Sequence, residues 1–157
     1  MKKESEVFLM KEYKKILIPT DGSPGAEEAV KKGLSLAKLI GAEVLALYVK
    51  DYRILAGLPE TEEVIFIGNG LEEEGKGAIE FVKKEAKNLG VKCEGKIVEG
   101  HPQAKIVEVA DEENCDLIVM GTKGRTGLAH FFLGSVTEGV IHHANCPVFI
   151  VREKSKK

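Results

Sequence analysis

The run Leu117-Ile118-Val119-Met120, followed at once by glycine and then by a helix start near Ser135, limits the possible folds more than any other part of the sequence. Four consecutive apolar residues without alternation describe a strand buried on both faces, the signature of a parallel strand inside an α/β sheet. The run stops at Gly121, where the composition changes abruptly to a loop containing Gly124 and Gly134. Ser135 with Glu138 three residues on is a capping-box pattern, so Ser135 is expected as the N-cap of a helix. Strand, glycine loop and helix N-terminus in succession have a physical use. The first turn of a helix leaves backbone N–H groups unpaired and carries a partial positive charge, which attracts anions and above all phosphates. Glycines bring the main chain close to the same point and aim further N–H groups at it.

Ile16-Leu17-Ile18-Pro19-Thr20 reads as the first strand, ending in Asp21-Gly22-Ser23-Pro24 with Ser23 as N-cap and Pro24 as first helical residue. Ala26, Val30, Leu34, Ala37 and Ile40 keep a 3.6 period up to Gly41, where the helix should stop. A second apolar strand over residues 44–49 completes a βαβ unit, which makes the strands parallel. Residues 71–89 are expected to form a helix with a stripe at Ala78, Phe81/Val82, Glu85/Ala86 and Leu89, ended by Gly90. Residues 91–98 alternate and suit an edge strand. Gly100-His101-Pro102 opens a third helix, residues 135–144 give the fourth, and residues 147–152 the fifth strand. Gly57, Pro59, Gly68 and Asn69 break any period over 51–70, which is expected as a flexible loop, either folding over a ligand site or partner or lying plain on the surface. Residues 1–12 are expected as an N-terminal arm, either frayed or forming an extra strand or a partner-clasping segment. Strands alternating with helices in this way predict a three-layer, doubly wound, Rossmann-like α/β domain on a five-stranded parallel sheet.

At 157 residues and 43% apolar content the sequence supports a single domain over 13–157. A net charge of −2, from 23 basic and 25 acidic residues, argues against a nucleic-acid partner. No run approaches the ~18 apolar residues of a membrane span, and no secretory apolar core opens the chain, so no membrane contact and a cytoplasmic location are expected. Cys93, Cys115 and Cys146 are read as reduced, buried thiols. No G-x-x-x-x-G-K-[ST] loop is present. The two G-x-G starts at Gly68 and Gly75 end in Glu73 and Glu80, so the dinucleotide fingerprint fails twice. His142 and His143 are adjacent, point to different helix faces and do not make a paired metal site. No general base is evident beside a bound phosphate, so efficient catalysis is not expected.

Gly121, Gly124, Gly134 and Ser135 follow the spacing G-x2-G-x9-G-[S/T]. With Ile18-Pro19-Thr20-Asp21-Gly22-Ser23 and Cys146-Pro147-Val148-Phe149-Ile150-Val151-Arg152, they make the chain resemble the ATP-binding branch of the universal stress protein family. The resemblance implies strand order 3-2-1-4-5, with the ligand at the reversal between the first and fourth strands, where Asp21 and Gly121 face each other. It implies that Gly121 and Gly124 allow close approach to phosphates and ribose, and that Gly134, Ser135, Val136 and Thr137 present the helix start. Asp21 is then expected on the ribose or, indirectly, on a phosphate-bound Mg²⁺ or Mn²⁺. Pro19 and Thr20 line the same pocket, and Val49 and Met120 wall the adenine. By their place in the loop, Lys123 and Arg125 are expected either to meet phosphate charge or to stay solvated, and His130 either to reach the triphosphate or to face solvent. The expected ligand is ATP, with AMP or ADP as variants, and the expected partner is a second copy joined through residues 147–152. The implied role is a nucleotide-dependent stress sensor or interaction module. The alternatives are a slow metal-assisted ATPase, or a dimeric scaffold that binds AMP or no nucleotide.

Overall fold

The computed structural model of the protein describes residues 13–123 and 133–153; the arm at 1–12, and Gly124, Arg125 and His130, lie outside them. Among the described residues the chain forms β1 (Lys15–Pro19), α1 (Pro24–Ile40), β2 (Glu43–Lys50), α2 (Glu62–Leu89), β3 (Cys93–Glu99), α3 (Pro102–Glu112), β4 (Leu117–Gly121), α4 (Ser135–His143) and β5 (Val148–Val151). The strands make one parallel sheet in the order β3-β2-β1-β4-β5, as expected from the family resemblance. Register places Ile16 beside Val44 on one side and Leu117 on the other, and Gly121 beside Val151 at the outer edge.

The period-two alternation of each strand sorts its apolar residues into two cores. Ile16, Ile18, Val44, Ala46, Leu117 and Val119 face α1 and α2, meeting Val30, Leu34, Ile79 and Val82. Leu17, Leu45, Leu47, Ile118 and Met120 face α3 and α4, meeting Ile106, Val109 and Val140. Each fully buried side chain of this size contributes about 1.5–3 kcal/mol relative to exposure, so the central strands β1 and β4 hold the domain together. The helices change face between β3 and β4, and the strand order reverses between β1 and β4.

Local chemistry accounts for the helix ends. Ser23 Oγ accepts the Ala26 N–H at 3.3 Å, Pro24 occupies the first turn, and Gly41 closes α1 at φ 71°. A glycine is required within α2 at Gly75, where an added Cβ would come within 2.7 Å of Tyr48 Cδ1. The helix therefore lies directly on the Tyr48 ring.

Three expectations are corrected. The segment 51–70 is not a loop: Tyr52–Leu55 is a short 3₁₀ turn, and α2 begins at Glu62, nine residues ahead of the expected Leu71. Thr61 makes this possible by accepting the Val64 N–H at 3.3 Å, and Glu62 and Glu63 complement the positive helix end. Asp51 steadies the 3₁₀ turn by accepting the Arg53 N–H at 3.1 Å. Ser135 is not the N-cap: Gly134 takes that position at φ −63°, ψ 154°, and no capping box forms. Gly134 is held there because its N–H donates to the Thr122 carbonyl at 2.7 Å and its carbonyl accepts the Glu138 N–H at 2.9 Å. The edge strands are also displaced slightly from expectation, to Cys93–Glu99 and Val148–Val151.

Candidate functional site

A cavity of about 400 Å³ opens at the carboxyl ends of β1, β2 and β4, where the strand order reverses. Of the predicted site residues that are described, all line it: Pro19, Thr20, Asp21, Val49, Met120, Gly121, Gly134, Ser135, Val136 and Thr137. Lys123 lines it too. Gly124, Arg125 and His130 lie outside the described residues.

On the β1 side, the Thr20 N–H donates to the Leu47 carbonyl at 2.8 Å and continues the ladder past Pro19. Thr20 Oγ1 then accepts the Gly22 N–H at 3.1 Å, and Asp21 Oδ1 accepts the Ser23 N–H at 2.9 Å. These bonds fix the turn that brings the Asp21 carboxylate to the cavity wall.

On the β4 side, Thr137 Oγ1 donates to the Gly121 carbonyl at 2.9 Å from a position only 2% exposed. With the Gly134–Thr122 bond, this fastens the first turn of α4 to the end of β4. The amides of Ser135, Val136 and Thr137 lie in that first turn, where no intrahelical acceptor reaches them. They lie along the cavity together with the positive end of the helix. Gly121 meets a tight main-chain neighbour: an added Cβ would stand 3.1 Å from the Gly25 carbonyl oxygen, so this position lets the β4 end pack on the start of α1.

The far wall is apolar, formed by Leu47, Val49, Pro102, Ile106 and Met120. Asp51, Arg53 and Leu71 complete the rim. Arg53 Nε and Nη2 reach the two Asp51 oxygens at 2.8 and 2.6 Å, and this guanidinium holds the Asp51 carboxyl below the usual carboxylate range. Behind the rim, Lys50 Nζ bonds to Glu72 at 2.5 Å and to Glu99 at 2.9 Å, which keeps its ammonium charged well above the ordinary lysine range. β2, α2 and β3 are thereby tied together beside the cavity. Among the described residues, no three of His, Cys, Asp or Glu converge as a metal-binding cluster.

Sequence reasoning missed Asp51, Arg53, Leu71 and Pro102, and with them the wall residues Leu47 and Ile106. The first three belong to, or directly follow, the segment whose glycines hid its structure. Pro102 carried a usable signal, since it opens a helix at the carboxyl end of β3.

The sheet with helices on both faces defines a doubly wound α/β protein, with a cavity at the reversal of its strand order that joins an apolar slot to a helix start. The sequence profile describing the universal stress protein family matches residues 12–152. The chain belongs to that family. It is 48% identical over 145 residues to universal stress protein MJ0531 of Methanocaldococcus jannaschii, covering 92% of this chain and 85% of that one. The solved structure of protein MJ0577 from the same organism superposes with a TM-score of 0.81 at 41% identity, over 92% of this chain and 99% of that chain. A universal stress protein from Archaeoglobus fulgidus, solved in complex with dAMP, superposes with a TM-score of 0.61 at 27% identity, over 88% and 97%. No helix among the described residues is long and apolar enough to cross a membrane.

Proposed function

We propose that the protein binds ATP, or another adenine nucleotide, and acts as a nucleotide-dependent interaction module rather than as an efficient catalyst. The observation that carries this reading is the first turn of α4, pinned to β4 through Thr137 and Gly134 with its amides along the cavity. The residues fit such a ligand. The volume is in the range of small-molecule sites. The helix-start amides and Lys123 suit a polyphosphate, and Val49, Met120 and Ile106 suit a flat apolar base. A related structure carries dAMP.

Charge-assisted bonds to phosphate at about 1.5–3 kcal/mol each leave little after ordering costs of at least ~4 kcal/mol, so burial of the base must supply the rest of a micromolar affinity, about 8 kcal/mol. A divalent ion accompanying the phosphates would find Asp21, the other cavity carboxylate, Asp51, being engaged by Arg53, and would take its other ligands from phosphate oxygens and water. The Asp21 carboxylate also motivates a second reading, slow metal-assisted ATP hydrolysis. Asp21→Asn compared with the wild type by chromatography of ATP and ADP over hours separates the two. A cytoplasmic location and a homodimer through β5 complete the proposal. The β5 edge carries exposed Phe149, and an open apolar edge strand favours pairing with its own copy.

Ser135→Pro tests the cradle. Gly134 already has the extended conformation that a following proline requires, and proline is tolerated at the first helical position. The substitution removes one cradle N–H and the hydroxyl while leaving the fold intact. Calorimetry should show ATP affinity lowered by about tenfold or more, with little change in melting temperature. An unchanged affinity would sink the assignment.

A further inference from the structure

The first two turns of α2 present large apolar side chains to solvent. Ile65, Phe66 and Ile67 are all exposed, Phe66 to 79%, and Leu58 just ahead is exposed as well. Three consecutive residues span about 200° of helix circumference, so no rotation of α2 against the sheet would bury them together. Gly68, Asn69 and Gly70 follow, and both glycines weaken the helix relative to alanine. The tip is nonetheless capped by Thr61 and opened by Glu62 and Glu63. A capped helix presenting a contiguous apolar patch to solvent marks an interaction surface.

Charge identifies its occupant. Glu60, Glu62 and Glu63 surround the patch, and none of them pairs with a cation among the described residues, whereas Glu73 further along is bound by Lys76 at 3.2 Å. Tip-to-tip association of two copies would bring like charges together, and an anionic bilayer would be repelled. We propose that residues 58–67 dock into an apolar groove rimmed by lysine and arginine on another protein, with Phe66 as the anchor.

The base of this tip is also the wall of the cavity. Leu71 lines the cavity directly after the weak Gly68-Asn69-Gly70 stretch. Gly68 rests against Tyr52, the first residue of the 3₁₀ turn that carries Arg53 to the rim, and a Cβ on Gly68 would lie 3.5 Å from the Tyr52 ring. A ligand touching Leu71 and Arg53 therefore steadies the tip. This coupling rests on the nucleotide reading; the docking surface does not.

The test uses the full chain and a short fluorescent helix of leucine and lysine with its leucines on one face, followed by anisotropy at low and high salt. The probe should bind the wild type. Phe66→Ser should weaken it about tenfold or more without altering the circular dichroism spectrum. Leu39→Ser, at a 76% exposed site on α1, should leave it unchanged. Glu62→Lys combined with Glu63→Lys should weaken binding and flatten its salt dependence. The docking proposal fails if a probe of equal composition with scattered leucines binds as well. It also fails if Phe66→Ser has no effect, if that variant instead abolishes self-association in sedimentation, or if the tip drives flotation with lipid vesicles. ATP should tighten probe binding. If calorimetry shows ATP bound without that effect, the coupling alone is overturned. If no ATP binds, the nucleotide reading is overturned and the probe result stands.

Discussion

Replacing Gly75 by alanine should destabilise the protein, although alanine is the better helix former. Gly75 lies inside α2 against the ring of Tyr48, and an added Cβ would stand 2.7 Å from Cδ1, 3.0 Å from Cε1 and 3.2 Å from Cγ. Carbon pairs settle at about 3.5–4.0 Å, so the contact is repulsive on all three atoms. Tyr48 has little room to retreat, being 4% exposed with its hydroxyl 3.3 Å from Glu74 Oε2. The change gains about 1 kcal/mol of helix propensity and loses about 1–3 kcal/mol to overpacking, a net cost of ~0–2 kcal/mol. Gly77, two residues further along α2, meets nothing within 4 Å, so Gly77→Ala keeps the propensity gain alone. Comparing the two variants isolates the packing cost. Urea unfolding should separate them by about 1–3 kcal/mol, and melting temperatures by about 3–9 °C for a chain of this length. Because Tyr48 and Leu71 both line the cavity, Gly75→Ala should also weaken ligand binding, and Gly77→Ala should not. Equal unfolding midpoints for the two variants would refute the argument that close backbone approach at Gly75 seats α2 on β2.

Other perturbations test separate parts of the molecule. Thr137→Val leaves the buried volume nearly unchanged and removes the donor to the Gly121 carbonyl, so the urea midpoint should fall by the equivalent of about 1 kcal/mol with an unchanged slope. Burial pushes the Cys115 thiol up to about 11 from 9.0, and the folded state therefore holds this proton more tightly than the unfolded chain. The resulting stability is present below about pH 9 and is lost as pH rises towards about 11, up to roughly 2 kcal/mol. Unfolding followed across that window should flatten in Cys115→Ala. Phe149→Glu on the open β5 edge should convert a dimer to a monomer in sedimentation equilibrium; a wild-type monomer at high concentration would remove the dimer proposal.

The sheet was legible because its central strands are apolar on both faces: Ile16-Leu17-Ile18 and Leu117-Ile118-Val119-Met120 have no other stable environment. The place of the cavity needed more than the strand pattern: the order 3-2-1-4-5, which sets the reversal between β1 and β4 and brings Asp21 and Gly121 to one place, came from the family resemblance. The start of α2 was not legible, because Gly68, Asn69 and Gly70 depress helix propensity and the apolar residues before them face solvent, which erases the periodic signal. The N-cap of α4 was misplaced by one residue for a different reason. Ser135 has the right chemistry for a cap, but Gly134 is fixed by a hydrogen bond to the Thr122 carbonyl that no local pattern announces.

Gly121, on the wall of the cavity, is the ladder partner of Val151 on the outermost strand. Neighbouring strands run about 4.8 Å apart, so the floor of the cavity and the open flank of the molecule are separated by a single peptide ribbon. A molecule seated against Gly121 and one paired along the outer side of β5 would therefore lie only about two strand spacings apart.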